Sequence, residues 1–195
     1  MSWKKLDSQM AQYQRHLVRD VQLDIGTAAA LATSVAADVR FLSREQKDGL
    51  KKVTPVRLND RLEEVHAFQR FSDFANLLPA GQLPQVTRAH VSYQNYICFC
   101  YLSEALFLHL RKVAKTGSAA KKCSKFLTDG SVRYFRNAFA HGNWQYSKDF
   151  SQIIFWSRKG ADKSEPMQKF HVTNEELAFW QALSRCLAYA AFENL

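Results

Sequence analysis

The hydrophobic period of this chain changes once, after Trp144, and that change limits the fold. Upstream the apolar residues recur at helical spacing. Leu6, Met10, Tyr13, Leu17 and Val21 predict a helix over 3–20. A break at Asp24 to Gly26 precedes a second helix over about 27–47, with Ala28, Leu31, Val35, Val39 and Leu42 on one face. Lys51 to Pro55 reads as a linker, since proline pushes Thr54 to extended geometry. Asp60-Arg61-Leu62-Glu63 is a capping-box-like start. The helix it opens runs to about Leu78, with Leu62, Val65, Phe68, Phe71, Ala75 and Leu78 inward. After a proline- and glycine-marked loop over 78–84, the longest helix runs from Pro84 to about Lys115. Val86, Tyr93, Ile97, Cys100, Phe107 and Leu110 form its buried stripe. Glu104 is its only acid; it either meets Arg136 or faces solvent, and the rarity of buried acids favours solvent. Gly117 ends that helix, Asp129-Gly130 makes a turn, and Ser131 is placed to cap the next helix.

Downstream of Trp144 the runs shorten and become β-prone. Ile153 to Trp156 and Met167 to Val172 flank a turn over Lys159 to Pro166, which predicts a small hairpin. Thr173-Asn174-Glu175-Glu176 is a capping box for a last helix carrying Leu177, Trp180, Leu187 and Ala191. The expected fold is therefore all-α: a bundle of about five to seven helices with a small β-hairpin before the C-terminal helix, in one domain over 1–195.

With 47% hydrophobic and 13% aromatic residues, the chain has enough apolar matter for a real core. The opening Met1-Ser2-Trp3-Lys4-Lys5-Leu6-Asp7 lacks the apolar core of a signal peptide. The longest apolar run, Tyr96 to Leu102, is far too short to span a bilayer. A cytoplasmic protein with no membrane association is the expectation. Cys98, Cys100, Cys123 and Cys186 form no zinc spacing, and Cys98 and Cys100 read as core fillers. No pair of histidines stands at metal-ligand spacing with a carboxylate nearby, and no glycine-rich phosphate loop is present. Neither a metal nor a nucleotide cofactor is expected.

The net charge of +9 is concentrated. Residues 111–169 hold thirteen Lys and Arg against four Asp and Glu, whereas the other residues hold fourteen of each. Arg111, Lys112, Lys115, Lys121, Lys122 and Lys125 follow one another with no acid between them. Such a run is either a solvated face or a track for a phosphate backbone. On the second reading, Lys121, Lys122 and Lys125 bind the polyanion.

Within that basic stretch lies Val132-Arg133-Tyr134-Phe135-Arg136-Asn137-Ala138-Phe139-Ala140-His141-Gly142-Asn143-Trp144. Val132, Phe135 and Phe139 are apolar at helical spacing, and Gly142 stands where a helix-terminating glycine belongs. Arg136, Asn137 and His141 are the polar groups left over. Five residues separate Arg136 from His141 by roughly 140° on an ideal helix, so His141 must lie at or beyond the helix end for the two to converge. A guanidinium presents a fixed fork of donors to phosphate, and an imidazole exchanges a proton near neutral pH. Together they suit phosphodiester cleavage. Bare Arg-x4-His spacing is no signature, because Arg61 and His66 repeat it in an acidic setting.

The fuller string, Arg136-Asn137-Ala138-Phe139-Ala140-His141-Gly142, resembles the signature of the HEPN superfamily. These are small all-helical domains, many of them metal-independent ribonucleases. The resemblance implies an endoribonuclease whose catalytic residues are Arg136, Asn137 and His141, with RNA as partner and a homodimer pairing two motifs in one cleft. It extends to toxins and phage-defence proteins, some controlled by a cognate antitoxin protein. One kind of antitoxin modifies a tyrosine two residues after the histidine, where this chain has Asn143. The other reading is a catalytically silent HEPN-like module that binds RNA or protein. Trp144 reads as buried beside the hairpin, and Tyr146 as either buried or base-stacking.

Overall fold

The computed structural model describes residues 25–53, 92–149, 151–160 and 164–195. The expected helices over 3–20 and 60–78, and the loop over 78–84, lie outside the described residues. Among the described residues six α-helices are placed: α1 (Ile25–Arg40), α2 (Arg44–Lys52), α3 (Leu108–Val113), α4 (Ala119–Leu127), α5 (Gly130–Ala140) and α6 (Asn174–Phe192). Two π-helical stretches, Tyr96–Tyr101 and Ser103–Phe107, run into α3. Strands β1 (Trp144–Tyr146), β2 (Gln152–Ser157) and β3 (Gln168–Thr173) form an antiparallel sheet in that order. No described helix is long and apolar enough to cross a membrane.

The mainly helical expectation holds, with corrections. The hairpin is the β2–β3 part of a three-stranded sheet, because Trp144 to Tyr146 pairs with Phe155 to Ile153. Three residues are too few to show a period, so β1 was invisible in the pattern. The helix expected over 27–47 is two helices. Ser43-Arg44-Glu45-Gln46 is a capping box in which Ser43 accepts from the Gln46 amide and the Gln46 side chain accepts from the Ser43 N–H. Phe41, at that break, is 90% exposed.

The long helix is also re-registered. Leu102 donates its N–H to Ile97 and Leu108 to Ser103, five residues back rather than four. Each wide turn absorbs an extra residue and rotates the downstream side chains about the helix axis. Cys100, Phe107 and Leu110 are buried as expected, and so are Phe99, Leu102, Ser103 and Leu106, whereas Tyr93, upstream of both wide turns and expected inward, is exposed. The helix ends at Val113, before Gly117. The cap of α5 is Asp129, not Ser131; its carboxylate accepts from the Gly130 N–H at 3.0 Å. Thr173 caps α6 as expected, in a capping box with Glu176.

The core is continuous between helices and sheet. Phe135 of α5 is fully buried, and its ring lies 5.5 Å from Phe99, 5.3 Å from Phe155 and 6.0 Å from Trp180. Helix α1 packs on α4 and α6, and its Asp38 carboxylate accepts from the Ala120 N–H at the start of α4. Burial pushes the Cys123 thiol up to about 12 and that of Cys186 to about 11, so both remain protonated core groups at neutral pH.

Candidate functional site

Helix α5 stops in a Schellman motif. His141 is its C-cap; Gly142 donates to the Phe139 carbonyl at 3.2 Å and Asn143 to that of Ala138 at 2.8 Å. Gly142 takes φ +69°, the left-handed conformation this stop requires. An added Cβ there meets nothing within 4 Å, so only backbone strain opposes a side chain. Gly142→Ala is therefore expected to destabilise by about 1–2 kcal/mol. Gly142→Asn should cost less, since asparagine tolerates this region. Urea unfolding of the two variants checks this; equal losses would mean that the turn is not what Gly142 supplies.

The stop also aims the chain at the sheet. Beyond Gly142, the Asn143 carbonyl accepts from the Trp156 N–H at 2.9 Å, and Trp144 pairs with Phe155. The C-terminal end of β2 is thereby drawn beside His141. Trp144 is half-buried and stacks on Phe139 at 5.0 Å, and Tyr146 meets Trp144 edge-on at 5.7 Å.

Between these elements lies an open cleft of about 550 Å³. Asn137, Ala138, His141 and Asn143 line one side; Trp156, Ser157, Arg158, Gly160 and Met167 line the other. His141 is exposed and Asn137 half-buried. The spacing accounts for their company: Arg133, Asn137 and His141 follow at four-residue intervals and share a helix face. Arg133 donates to the Lys159 carbonyl at 2.5 Å, tying that face to the turn after β2.

Arg136 is not on this face. Its guanidinium forms an ion pair with Glu104 on the second π-helical stretch and donates from Nη1 to Asn137 Oδ1 at 3.0 Å. Its Nε is buried without a partner. No hydrogen bond or ion pair joins it to His141. Both readings of Glu104 hold: its side chain is 59% exposed, as favoured, and it also meets Arg136. An acid at the surface need not be unpaired when a guanidinium can reach it, and the rarity of buried acids has no bearing on such a pair. Asn137 links the two flanks. With Oδ1 committed to Arg136, its Nδ2 is the group left to donate.

The lysines are placed elsewhere. Lys122 is 8% exposed, buried in α4 among Ala119, Ala120 and Cys123, so it belongs to no phosphate track. Lys125 is exposed and Lys121 half-buried, one turn apart on one face. Lys125 lines a second cavity, about 490 Å³, with Asp129, Gly130 and Trp180 at the start of α5. That is the end opposite His141; the twelve steps from Asp129 to His141 span roughly 18 Å of helix. Arg111 donates to Thr128 at 3.0 Å and pairs with Asp129.

The residue missed by sequence reasoning is Arg158. Its only signal was membership of the basic stretch, because pairing with β1 is what brings it to the motif. Among the described residues, no group of three His, Cys, Asp or Glu is placed to hold a metal ion. Comparison with family models, curated proteins and solved structures finds no match to this chain.

Proposed function

We propose that this protein is a metal-independent endoribonuclease of HEPN type. One observation carries the reading: the string Arg136-Asn137-Ala138-Phe139-Ala140-His141-Gly142 closes a helix so that Asn137 and His141 open into one cleft. His141 acts as general base on the ribose 2′-hydroxyl, or as acid to the leaving 5′-oxygen. Asn137 donates from Nδ2 to a phosphate oxygen, and Arg136 supplies charge complementary to the phosphorane-like transition state. In the same reading two chains form a homodimer with both His141 side chains over one cleft. Light scattering that gives a monomer at working concentration counts against that. A toxin or phage-defence setting with an antitoxin partner belongs to the reading too; Asn143 disfavours an antitoxin that modifies tyrosine.

The decisive experiment is cleavage of single-stranded RNA by wild type beside His141→Ala. A second reading, a catalytically silent module binding RNA or protein, is favoured by the engagement of Arg136 with Glu104 and Asn137. It becomes the better account if purified wild type binds RNA and cleaves none.

The basic surface has its own test. Lys122 is excluded because it is buried. Charge reversal at Lys121 and Lys125 is expected to flatten the salt dependence of RNA binding by about 1.4 in log-log slope, at ~0.7 per phosphate contact on a single strand. An unchanged slope would make this face of α4 a solvated surface.

A further inference from the structure

Arg136 is the motif's only guanidinium, yet its fork faces Glu104 and Asn137 rather than the cleft. The geometry points to Arg158 as the residue that grips the phosphodiester beside His141, with Arg136 as a positioning residue that holds Asn137. This inference rests on the phosphodiester reading of the cleft.

Arg158 directly follows β2 and lines the cleft across from Asn137 and His141. Its Nε donates to the Glu165 main-chain carbonyl at 2.7 Å, which anchors the base of the guanidinium. Neither Nη makes a hydrogen bond or ion pair with any described residue. The nearby Glu165 carboxylate is otherwise engaged, accepting from the Gly160 N–H at 2.8 Å. Arg133 binds the carbonyl of the intervening Lys159, so helix α5 and this turn are joined, and Arg158 keeps its place relative to His141. A guanidinium anchored at Nε with both Nη groups open suits bidentate capture of two phosphate oxygens. The Nδ2 of Asn137 supplies a further donor and His141 the proton transfer. Arg136, on the far flank, fixes the Asn137 amide by occupying its Oδ1.

The test uses the full chain and a labelled 2′-O-methyl single-stranded oligoribonucleotide, which cannot be cleaved through its 2′-oxygen. Anisotropy is expected to show a roughly 10- to 100-fold rise in Kd for Arg158→Gln, the range for a lost hydrogen bond to a charged group. The salt slope should fall by about 0.7. Arg158→Lys should restore the slope but not the full affinity, because the fork is lost. Arg136→Gln combined with Glu104→Gln, which leaves no charge unpaired, should bind within about threefold of wild type. On cleavable RNA the same division reads as a raised KM for Arg158→Gln and a lowered kcat for the double variant. Unchanged melting temperatures establish that each variant folds. The assignment is overturned if Arg158→Gln binds as wild type does, if the double variant loses binding instead, or if wild type binds no oligonucleotide. Binding through Arg158 without any RNA cleavage would overturn only the ribonuclease reading. Cleavage indifferent to Arg158 would overturn only this assignment.

Discussion

His141→Ala is expected to lower RNA cleavage by about 10²–10⁴-fold, the range for removing a positioned acid or base. The motivation is the placement of an exposed imidazole at the end of α5, in a cleft it shares with Asn137. His66→Ala supplies the control, since Arg61 and His66 have the same bare spacing, and it should leave the rate nearly unchanged. Arg136→Lys should also lower the rate, because one ammonium cannot hold Glu104 and Asn137 as the fork does. Products should end in 2′,3′-cyclic phosphate, and a 2′-deoxy nucleotide at the scissile position should block the reaction. Chelators should not slow it. Equal rates for His141→Ala and wild type would mean that the activity lies elsewhere in the chain or in a contaminant. Absence of cleavage by wild type would leave the binding module as the account and would not touch the fold.

Phe135→Ala is expected to destabilise the protein by about 3–5 kcal/mol, the usual cost of emptying a buried phenylalanine site. The ring is fully buried and meets Phe99, Phe155 and Trp180, so one side chain joins α5 to the first π-helical stretch, to β2 and to α6. No single neighbour can move in to fill the space without leaving its own contacts. A domain of this size has roughly 5–15 kcal/mol of stability, so the variant should be marginal. Its melting temperature should drop by about 6–20 °C, at ~2–4 °C per kcal/mol. Phe41→Ala removes the same group from a site that is 90% exposed and should stay within about 0.5 kcal/mol of wild type. Similar losses in the two would mean that the aromatic cluster does not hold α5 in place.

The parts of this protein legible in the sequence are those made by residues close in the chain. The Thr173 capping box and the Gly142 stop each satisfy backbone groups within about one turn, so their side chains announce them. The Ser43 box was equally local and equally readable, but a continuous apolar stripe from Leu31 to Leu42 masked it. Val132 and Phe135 declared the core because burial on one face of a helix follows its period.

The site was half legible for the same reason. Asn137, His141 and Gly142 act through one helix end, and their spacing states the geometry. The partner of Arg136 stands 32 positions earlier, on a helix whose wide π turns rotate Glu104 away from where an α period would put it. The burial of Lys122 depends on what packs against α4, and the net charge of a stretch carries no such information. Arg158 lines the same cleft as His141 because three residues after the stop pair with β2, an alignment decided by hydrogen bonds between strands. Local backbone chemistry is written in neighbouring residues, and so the sequence determined the Thr173 cap, the Gly142 stop and the face that holds His141. Which distant charges meet across that face is set by packing, which only the tertiary structure decided.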